Sequence, residues 1–333
     1  LQQYPDGALL DEVQRVPDLL SYIQVEVDAH RTAGRYVLTA SQQFQLSEGI
    51  SQSLAGRTAL LRLLPFSLAE IRHHYPQLSL NETLFRGFYP RILDAALSPP
   101  QALGDYVETY VQRDLRLMVG VRDLTLFVRF LGLLAGRAGQ LLNLSQLAND
   151  AGVTHTTARQ WVSLLEAGFI IHRLPPYFAN LGKRLVKTPK LYFLDVGLAC
   201  YLLGITTASQ LARHHLRGAL VENLVVVEAL KAHYNRGLHP RLYFYRDSKG
   251  NEVDLLLEQG DGLAALEIKA GETVVEDYFK GLRKLNALPG IKLLRGAVAY
   301  GGKQGQNRSD FPVIPALASD KLFADWLMLS EGA

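Results

Sequence analysis

"NEVDLLLEQGDGLAALEIKAG", Asn251 to Gly271, is the stretch whose reading decides the fold of the C-terminal third. Two apolar runs are separated by Gly260-Asp261, a pair that suits a two-residue hairpin turn with glycine first. Val253, Leu255 and Leu257 alternate with Asp254, Leu256 and Glu258. After the turn, Leu266, Ile268 and Ala270 alternate with Glu267 and Lys269. That period of two predicts a pair of antiparallel strands. If Gln259 pairs with Gly262, Asp254 faces Glu267 and Glu252 faces Lys269. Two carboxylates directly opposite each other repel. A divalent cation removes that penalty, and Mg²⁺ (or Mn²⁺) favours one or two carboxylates with waters and phosphate oxygens. Lys269 lies on the face of Glu267, where it orients or polarises an attacking water. The plainer alternative is an exposed hairpin with solvated charges.

Upstream, "GALVENLVVVEALKAH" (Gly218 to His233) reads as a helix with an apolar stripe through Leu220, Leu224 and Val227. Glu222 lies off the stripe near the N-terminal end and is a third candidate acid. The expected metal set is therefore Glu222, Asp254 and Glu267, with Lys269 beside it. Hydrolysis of a phosphodiester would follow, with metal and lysine stabilising developing charge.

The middle of the chain carries "NLSQLANDAGVTHTTARQWVSLLEAGFI" (Asn143 to Ile170). Ser145 is placed to cap a short helix, Gly152 marks a tight turn, and Thr154 caps a second helix. Ala158, Trp161, Val162 and Leu165 form the buried face of that second helix. His155, Thr156, Arg159 and Gln160 face outward near its start, as in a helix-turn-helix that reads the major groove. Two strands follow, "FIIHRLPPY" and "KLYFLDVGL". The loop between them carries Lys183, Arg184, Lys187 and Lys190, with no Asp or Glu between Arg173 and Lys190. A basic hairpin suits contact with DNA phosphates. The same layout also serves as a structural or protein-docking module. "LFRGFYPRILDAAL" and "YVETYVQRDLRLMVGVRD", further upstream, read as amphipathic helical segments.

At the N-terminal end, "ALLDEVQRVP" (Ala8 to Pro17) opens with an apolar run expected to be a strand covered on both faces. Asp11 and Glu12 end it. A helix opening at Pro17 and a strand in "RYVLTAS" (Arg35 to Ser41) complete a parallel βαβ unit, whose functional residues gather at strand carboxyl ends. Arg57, after a glycine in "SLAGR", is placed to reach a γ-phosphate. Asp11 and Glu12 either serve such a site or simply cap the helix.

The 333 residues, with a formal charge of +3, 48% hydrophobic and 20% charged residues, suit a globular protein of two or three domains. The overall charge is too small to argue for nucleic acid, so that argument is local. One cysteine, Cys200, excludes an internal disulfide and a cysteine-based zinc site, and fits a reducing, cytoplasmic setting. No apolar run approaches the ~20 residues of a membrane helix, and no signal-peptide pattern is expected from the first residues.

Asp254 followed by Glu267-x-Lys269 resembles the PD-(D/E)xK nuclease core, in which Glu222 corresponds to the helix acid and Val253 replaces the frequent proline. Across the chain, "LLDEVQRVPDLLSYI", "LTASQQFQL", "SLAGR", "LLPFSLAEI", "YVETYVQRDL", "LPPYFANLGKRLVKTPKLYFLDVGL", "GALVENLV" and "EVDLLLE…LEIKAG" resemble a prokaryotic family of AAA+-type P-loop ATPases. The C-terminal region of that family combines a winged helix with a restriction-endonuclease-like fold. The resemblance implies that Asp11 and Glu12 are a Walker B pair, that Ser41 or Gln42 is the sensor, and that Arg57 is a finger acting on a neighbouring subunit of a homo-oligomer. It implies ATP as cofactor of the full-length family. No G-x-x-x-x-G-K-S/T loop occurs here, "GGKQG" (Gly301 to Gly305) lacking the hydroxyl residue, and Ala40 stands where the sensor strand usually has Gly. The first departure puts ATP binding by this chain itself in question. The expected fold class is multidomain α/β: a partial P-loop ATPase sheet over 1–75, a helical linker over 76–120, a winged helix-turn-helix over 121–205, and a restriction-endonuclease-like α/β/α core over 206–333.

Overall fold

The computed structural model describes residues 4, 6–30, 32–40, 54–110, 123–177 and 187–328. The chain divides into two compact units, Leu1–Leu61 and Arg62–Ala333. In the first, β1 (Ala8–Leu10) and β2 (Tyr36–Leu38) pair in parallel, Ala8 opposite Tyr36 and Leu10 opposite Leu38. The crossover is α1 (Leu19–His30), and Val13, Leu20, Ile23 and Leu54 fill the small core beneath it. The βαβ reading holds, but the expected cover on both faces does not. Leu9 is 67% and Val37 53% exposed. Each is the central residue of a three-residue strand, so period two aims both away from α1. No described element of this unit packs on that side.

The second unit is organised around one large core that runs in sequence from Leu64 to Trp326. The expected linker, winged helix and C-terminal domain all contribute to it. α2 (Leu68–His74) and α3 (Leu80–Arg86) each begin with a capping box, Ser67 with Glu70 and Ser79 with Glu82. The helical stretch expected around Phe85 to Ala95 is broken. α3 stops at Gly87, whose φ of 67° ends the helix, and α4 (Pro90–Asp94) restarts at a proline. α5 (Pro99–Tyr106) follows. α6 (Leu124–Ala135) packs Phe127 and Phe130 edge-on against Trp161, with centroids 5.2 and 5.1 Å apart.

α7 (Leu144–Ala151) and α8 (His155–Ala167) form a tight pair turning at Gly152, which has φ 76°. Thr154 caps α8 as expected, accepting from the Thr157 N–H at 3.1 Å. The cap of α7 is Asn143, not Ser145, because Asn143 precedes the helix and accepts from the Gln146 N–H at 3.0 Å. Ala158, Trp161, Val162 and Leu165 are buried as expected. β3 (Ile171–Leu174) and β4 (Lys190–Phe193) then pair antiparallel.

α9 (Val196–Leu202) leads toward α10 (Arg217–Tyr234), the long central helix. Its apolar surface extends well beyond a single stripe, because Val221, Val225, Val226 and Leu230 are buried along with Leu220, Leu224 and Val227. A five-stranded mixed sheet follows in the order β5 (Leu242–Arg246), β6 (Glu252–Gln259), β7 (Gly262–Lys269), β8 (Leu293–Tyr300) and β9 (Val313–Pro315). β5, β6 and β7 are antiparallel neighbours, while β7, β8 and β9 run parallel. α10 and α12 (Ser319–Met328) cover one face, joined to Leu255, Leu257, Leu266 and Ile268. α11 (Lys280–Asn286), the crossover from β7 to β8, covers the other, against Val253, Leu256, Leu263 and Ala265. Nearly every residue of β6 and β7 is therefore buried. No helix among the described residues is long and apolar enough to cross a membrane.

Candidate active site at one edge of the sheet

The β6–β7 hairpin turns at Gly260-Asp261 with Gln259 opposite Gly262, as its sequence predicts. That register continues to Leu255 opposite Leu266 and then stops. On the other side of β6, Tyr243 pairs with Leu256 but Tyr245 pairs with Val253, which places an extra residue at Asp254–Leu255. Such a bulge re-aims side chains. Here it leaves Asp254 6% exposed, with its Oδ2 accepting the Ile268 N–H at 2.8 Å. A side chain thus takes a backbone donor of β7 at the point where regular pairing ends.

Lys269 ties the hairpin acids together. Its Nζ is 2.6 Å from Glu267 Oε1 and 3.7 Å from Asp254 Oδ2. Burial pulls this ammonium down, but Asp254 and Glu267 outweigh it and hold its pKa above the usual lysine value. Burial, followed by the charge of Asp254, pushes Glu267 up to about 8.

Glu252 does not meet Lys269. With regular pairing lost beyond the bulge, Glu252 forms ion pairs with Lys190 and, at 3.2 Å, with Arg246. Lys190 was expected among the hairpin cations facing phosphate. It instead opens β4, is 3% exposed, and stands 2.8 Å from Glu222 Oε1 and 3.8 Å from Asp254 Oδ1. It also lies 5.5 Å from the centroid of the Phe244 ring. Burial lowers its pKa, and Glu222, Asp254 and Glu252 together raise it above the ordinary value. The Tyr192 hydroxyl donates to the same Glu222 oxygen at 2.6 Å. Burial pushes Glu222 up to about 7 against the pull of Lys190. The missed signal was period two: Lys190 and Tyr192 share one face of an otherwise apolar strand.

Four carboxylates therefore meet two buried or half-buried ammonium groups where β4, α10, β6 and β7 converge. Among the described residues, no three His, Cys, Asp or Glu side chains assemble into a ready metal-ligand group. Glu222 is engaged by Lys190 and Tyr192, which leaves Asp254 and Glu267 as the pair with capacity. Glu267 Oε2 is buried and has no hydrogen-bond partner. Such an oxygen is satisfied either by a proton, as the raised pKa of Glu267 allows, or by a cation that displaces it. Two carboxylates suffice for Mg²⁺ when waters and phosphate complete its shell, so these residues fit such an ion.

Two other buried acids are structural. Asp195 caps α9 through the Leu198 N–H and also accepts the Phe88 N–H. Glu228 accepts the Leu68 N–H and pairs with Lys231 at 2.9 Å.

The remaining candidates are dispersed. Thr156, Arg159, Gln160 and Lys187 are exposed. Lys183, Arg184, Ser41 and Gln42 lie outside the described residues. In the N-terminal unit, Asp11 follows β1 and accepts a hydrogen bond from the Thr39 hydroxyl. Glu12 sits in the left-handed region at φ 52° and is bonded by Gln14. Arg57 holds Asp28 through two bonds of 2.6 and 3.0 Å.

Comparison with known proteins divides the chain into three matches. Residues 1–72 match an AAA domain, 77–209 a domain of unknown function (DUF8612), and 217–318 another (DUF4143). An uncharacterized protein of Mycobacterium tuberculosis is 32% identical over 312 residues, covering 92% of this chain and 68% of the relative. One of Mycobacterium bovis matches to the same extent. An uncharacterized protein of Haemophilus influenzae is 25% identical over 275 residues, covering 78% of this chain and 64% of the relative.

Proposed function

This chain belongs to the same family as the mycobacterial proteins, with an AAA domain at its N-terminal end, and from that premise we propose a nucleic-acid-directed protein that couples a nucleotide-binding module to phosphodiester hydrolysis. The AAA domain binds ATP in the family, with Asp11 and Glu12 in the positions of the Walker B pair. Arg57 acts on a neighbour's nucleotide in a homo-oligomer only by exchanging Asp28 for phosphate. The second unit acts on DNA: α7, α8 and the β3–β4 hairpin serve as a winged helix, and the five-stranded sheet with its helices as a nuclease-like core. Thr156, Arg159 and Gln160 present the exposed start of α8 to the groove, and Lys187 lies beyond it on the basic hairpin.

The observation that carries hydrolysis is Lys269 held between Glu267 and Asp254, with Glu267 Oε2 unpartnered beside it. Asp254 and Glu267 would hold Mg²⁺ or Mn²⁺, which supplies Lewis-acid polarisation of a phosphoryl oxygen and a more acidic bound water. Lys269 orients the attacking water and stabilises the charge that grows on the phosphoryl oxygens. Lys190 and Tyr192 fix Glu222, which acts by positioning Lys190 against Asp254. The β6 bulge keeps Asp254 against β7, with its Oδ2 on the Ile268 N–H.

A second reading is favoured by Lys190, which already neutralises Glu222 and Glu252: an ATP-dependent switch with a non-catalytic C-terminal half. Incubation of labelled single-stranded, duplex and branched DNA with Mg²⁺ or Mn²⁺ separates the two. Hydrolysis predicts cleavage by wild type that falls at least 100-fold in Lys269→Ala. No cleavage on any substrate supports the switch.

A further inference from the structure

Lys269 on β7, Tyr300 on β8 and Pro315 on β9 are register partners, so three parallel strands end on one line. Asp254, near the start of antiparallel β6, lies at the same edge of the sheet. The chain leaving each parallel strand walls a cleft of about 350 Å³. Glu272 comes from the segment after β7, Gly302 and Lys303 from the segment after β8, and Ala316 follows β9. Asn81 and Arg217 line it from the helical side. Carboxyl ends of parallel strands are where open α/β sheets take their ligands.

The cleft is a fixed feature. The Gly301 N–H donates to Gly271 O at 3.0 Å, and a Cβ on Gly301 would stand 2.1 Å from Ala270 O, so only glycine permits this approach of β8 to β7. Arg217 is held by two neutral acceptors, Ala270 O at 2.5 Å and Asn81 Oδ1 at 3.0 Å. Among the described residues neither Arg217 nor Lys303 is in an ion pair. Glu272 is, among the described residues, the one acid lining the cleft against these two cations. An anionic ligand meets net positive charge here, beside an acid centre that repels it.

Distance sets the class of ligand. Ala270, whose carbonyl Arg217 holds, directly follows Lys269. Glu272 is three residues on from Lys269, at most about 11 Å along the chain. A DNA strand rises about 3.4 Å per nucleotide along its axis, so that reach spans no more than about three nucleotides. We propose that the Arg217–Lys303 cleft anchors a backbone phosphate of a nucleic-acid strand, about one to three nucleotides from the phosphate at Lys269. It rests on the phosphodiester reading of the acid centre and makes the substrate a polyanionic strand rather than a small phosphate ester.

The test is binding of fluorescently labelled single-stranded and duplex oligonucleotides to the full chain, by anisotropy in EDTA, across a salt series. Lys303→Gln is expected to weaken binding several-fold and to lower the log–log salt slope by about one. Arg217→Gln is expected to do the same, and the double variant to lower the slope by about two. Arg217→Lys, which keeps the charge, checks that lost contacts to Ala270 and Asn81 are not the cause. Wild-type binding with unchanged affinity and slope in both Gln variants overturns the anchor. No wild-type binding overturns it together with the nucleic-acid reading. Lys303-dependent binding without cleavage in Mn²⁺ keeps the anchor and removes hydrolysis.

Discussion

Asp11–Glu12 and Asp254–Glu267 are both pairs of acids at strand ends, and their surroundings separate them. Asp11 is exposed at the end of a two-stranded sheet and is bonded by Thr39. Asp254 and Glu267 are nearly buried at the edge of a five-stranded sheet, with Lys190 and Lys269 in reach. Burial raises Glu267 to about 8 and strands one of its oxygens. Identical residue types thus acquire different chemistry from the number of layers built over them. Asp11 and Glu12 already take hydrogen bonds from Thr39 and Gln14, whereas the buried pair has an orphaned oxygen that a cation would satisfy.

The largest difference between the two acid pairs is expected at Lys190. Lys190→Met takes the ammonium from half-buried Glu222 and Glu252 and from buried Asp254, and is expected to destabilise the second unit by about 3 kcal/mol. Lys190→Arg, which retains the charge, should cost less. Denaturant unfolding measures both, and equal stability of Lys190→Met and wild type would show that the acid centre does not depend on it. At Asp11 the expectation is opposite. Asp11→Asn should change stability by no more than about 0.5 kcal/mol, as an exposed substitution usually does. A large loss there would show that the first pair is as structurally committed as the second.

A smaller effect sharpens the account on the hairpin that supplies Lys190. Burial lowers His172 on β3 to about 4, against the opposing pull of Glu166. Its neutral form is favoured in the fold, while the unfolded chain protonates near 6.5. Its contribution is therefore intact above about pH 6.5 and is lost as pH falls toward 4. Melting temperatures across that range should decline less steeply in His172→Gln than in wild type. Identical slopes would remove His172 from the account.

Much of this was legible in sequence because it is local. Gly260-Asp261 set the turn, period two set the register as far as Leu255, and Thr154 and Gly152 bounded the helix pair. The bulge at Asp254 was not legible, because it arises from β5, whose Tyr243 and Tyr245 pair out of step with β6. Lys190 was misplaced because its partners, Glu222 and Glu252, are distant in sequence and only the packing of β4 against α10 and β6 brings them together. Asn143 took the cap from Ser145 by preceding the helix by one residue. The exposed sides of Leu9 and Val37 were not legible, because an apolar run does not say how many layers will cover it.

The central claim is that the second acid pair, and not the first, is a metal site. Titration of the full chain with Mn²⁺ in the absence of nucleotide, followed by electron paramagnetic resonance of the free ion, tests it directly. One bound Mn²⁺ per chain is expected, lost in Asp254→Asn and Glu267→Gln and retained in Asp11→Asn. Mn²⁺ binding that survives both Asp254→Asn and Glu267→Gln, or no binding by wild type, would contradict it.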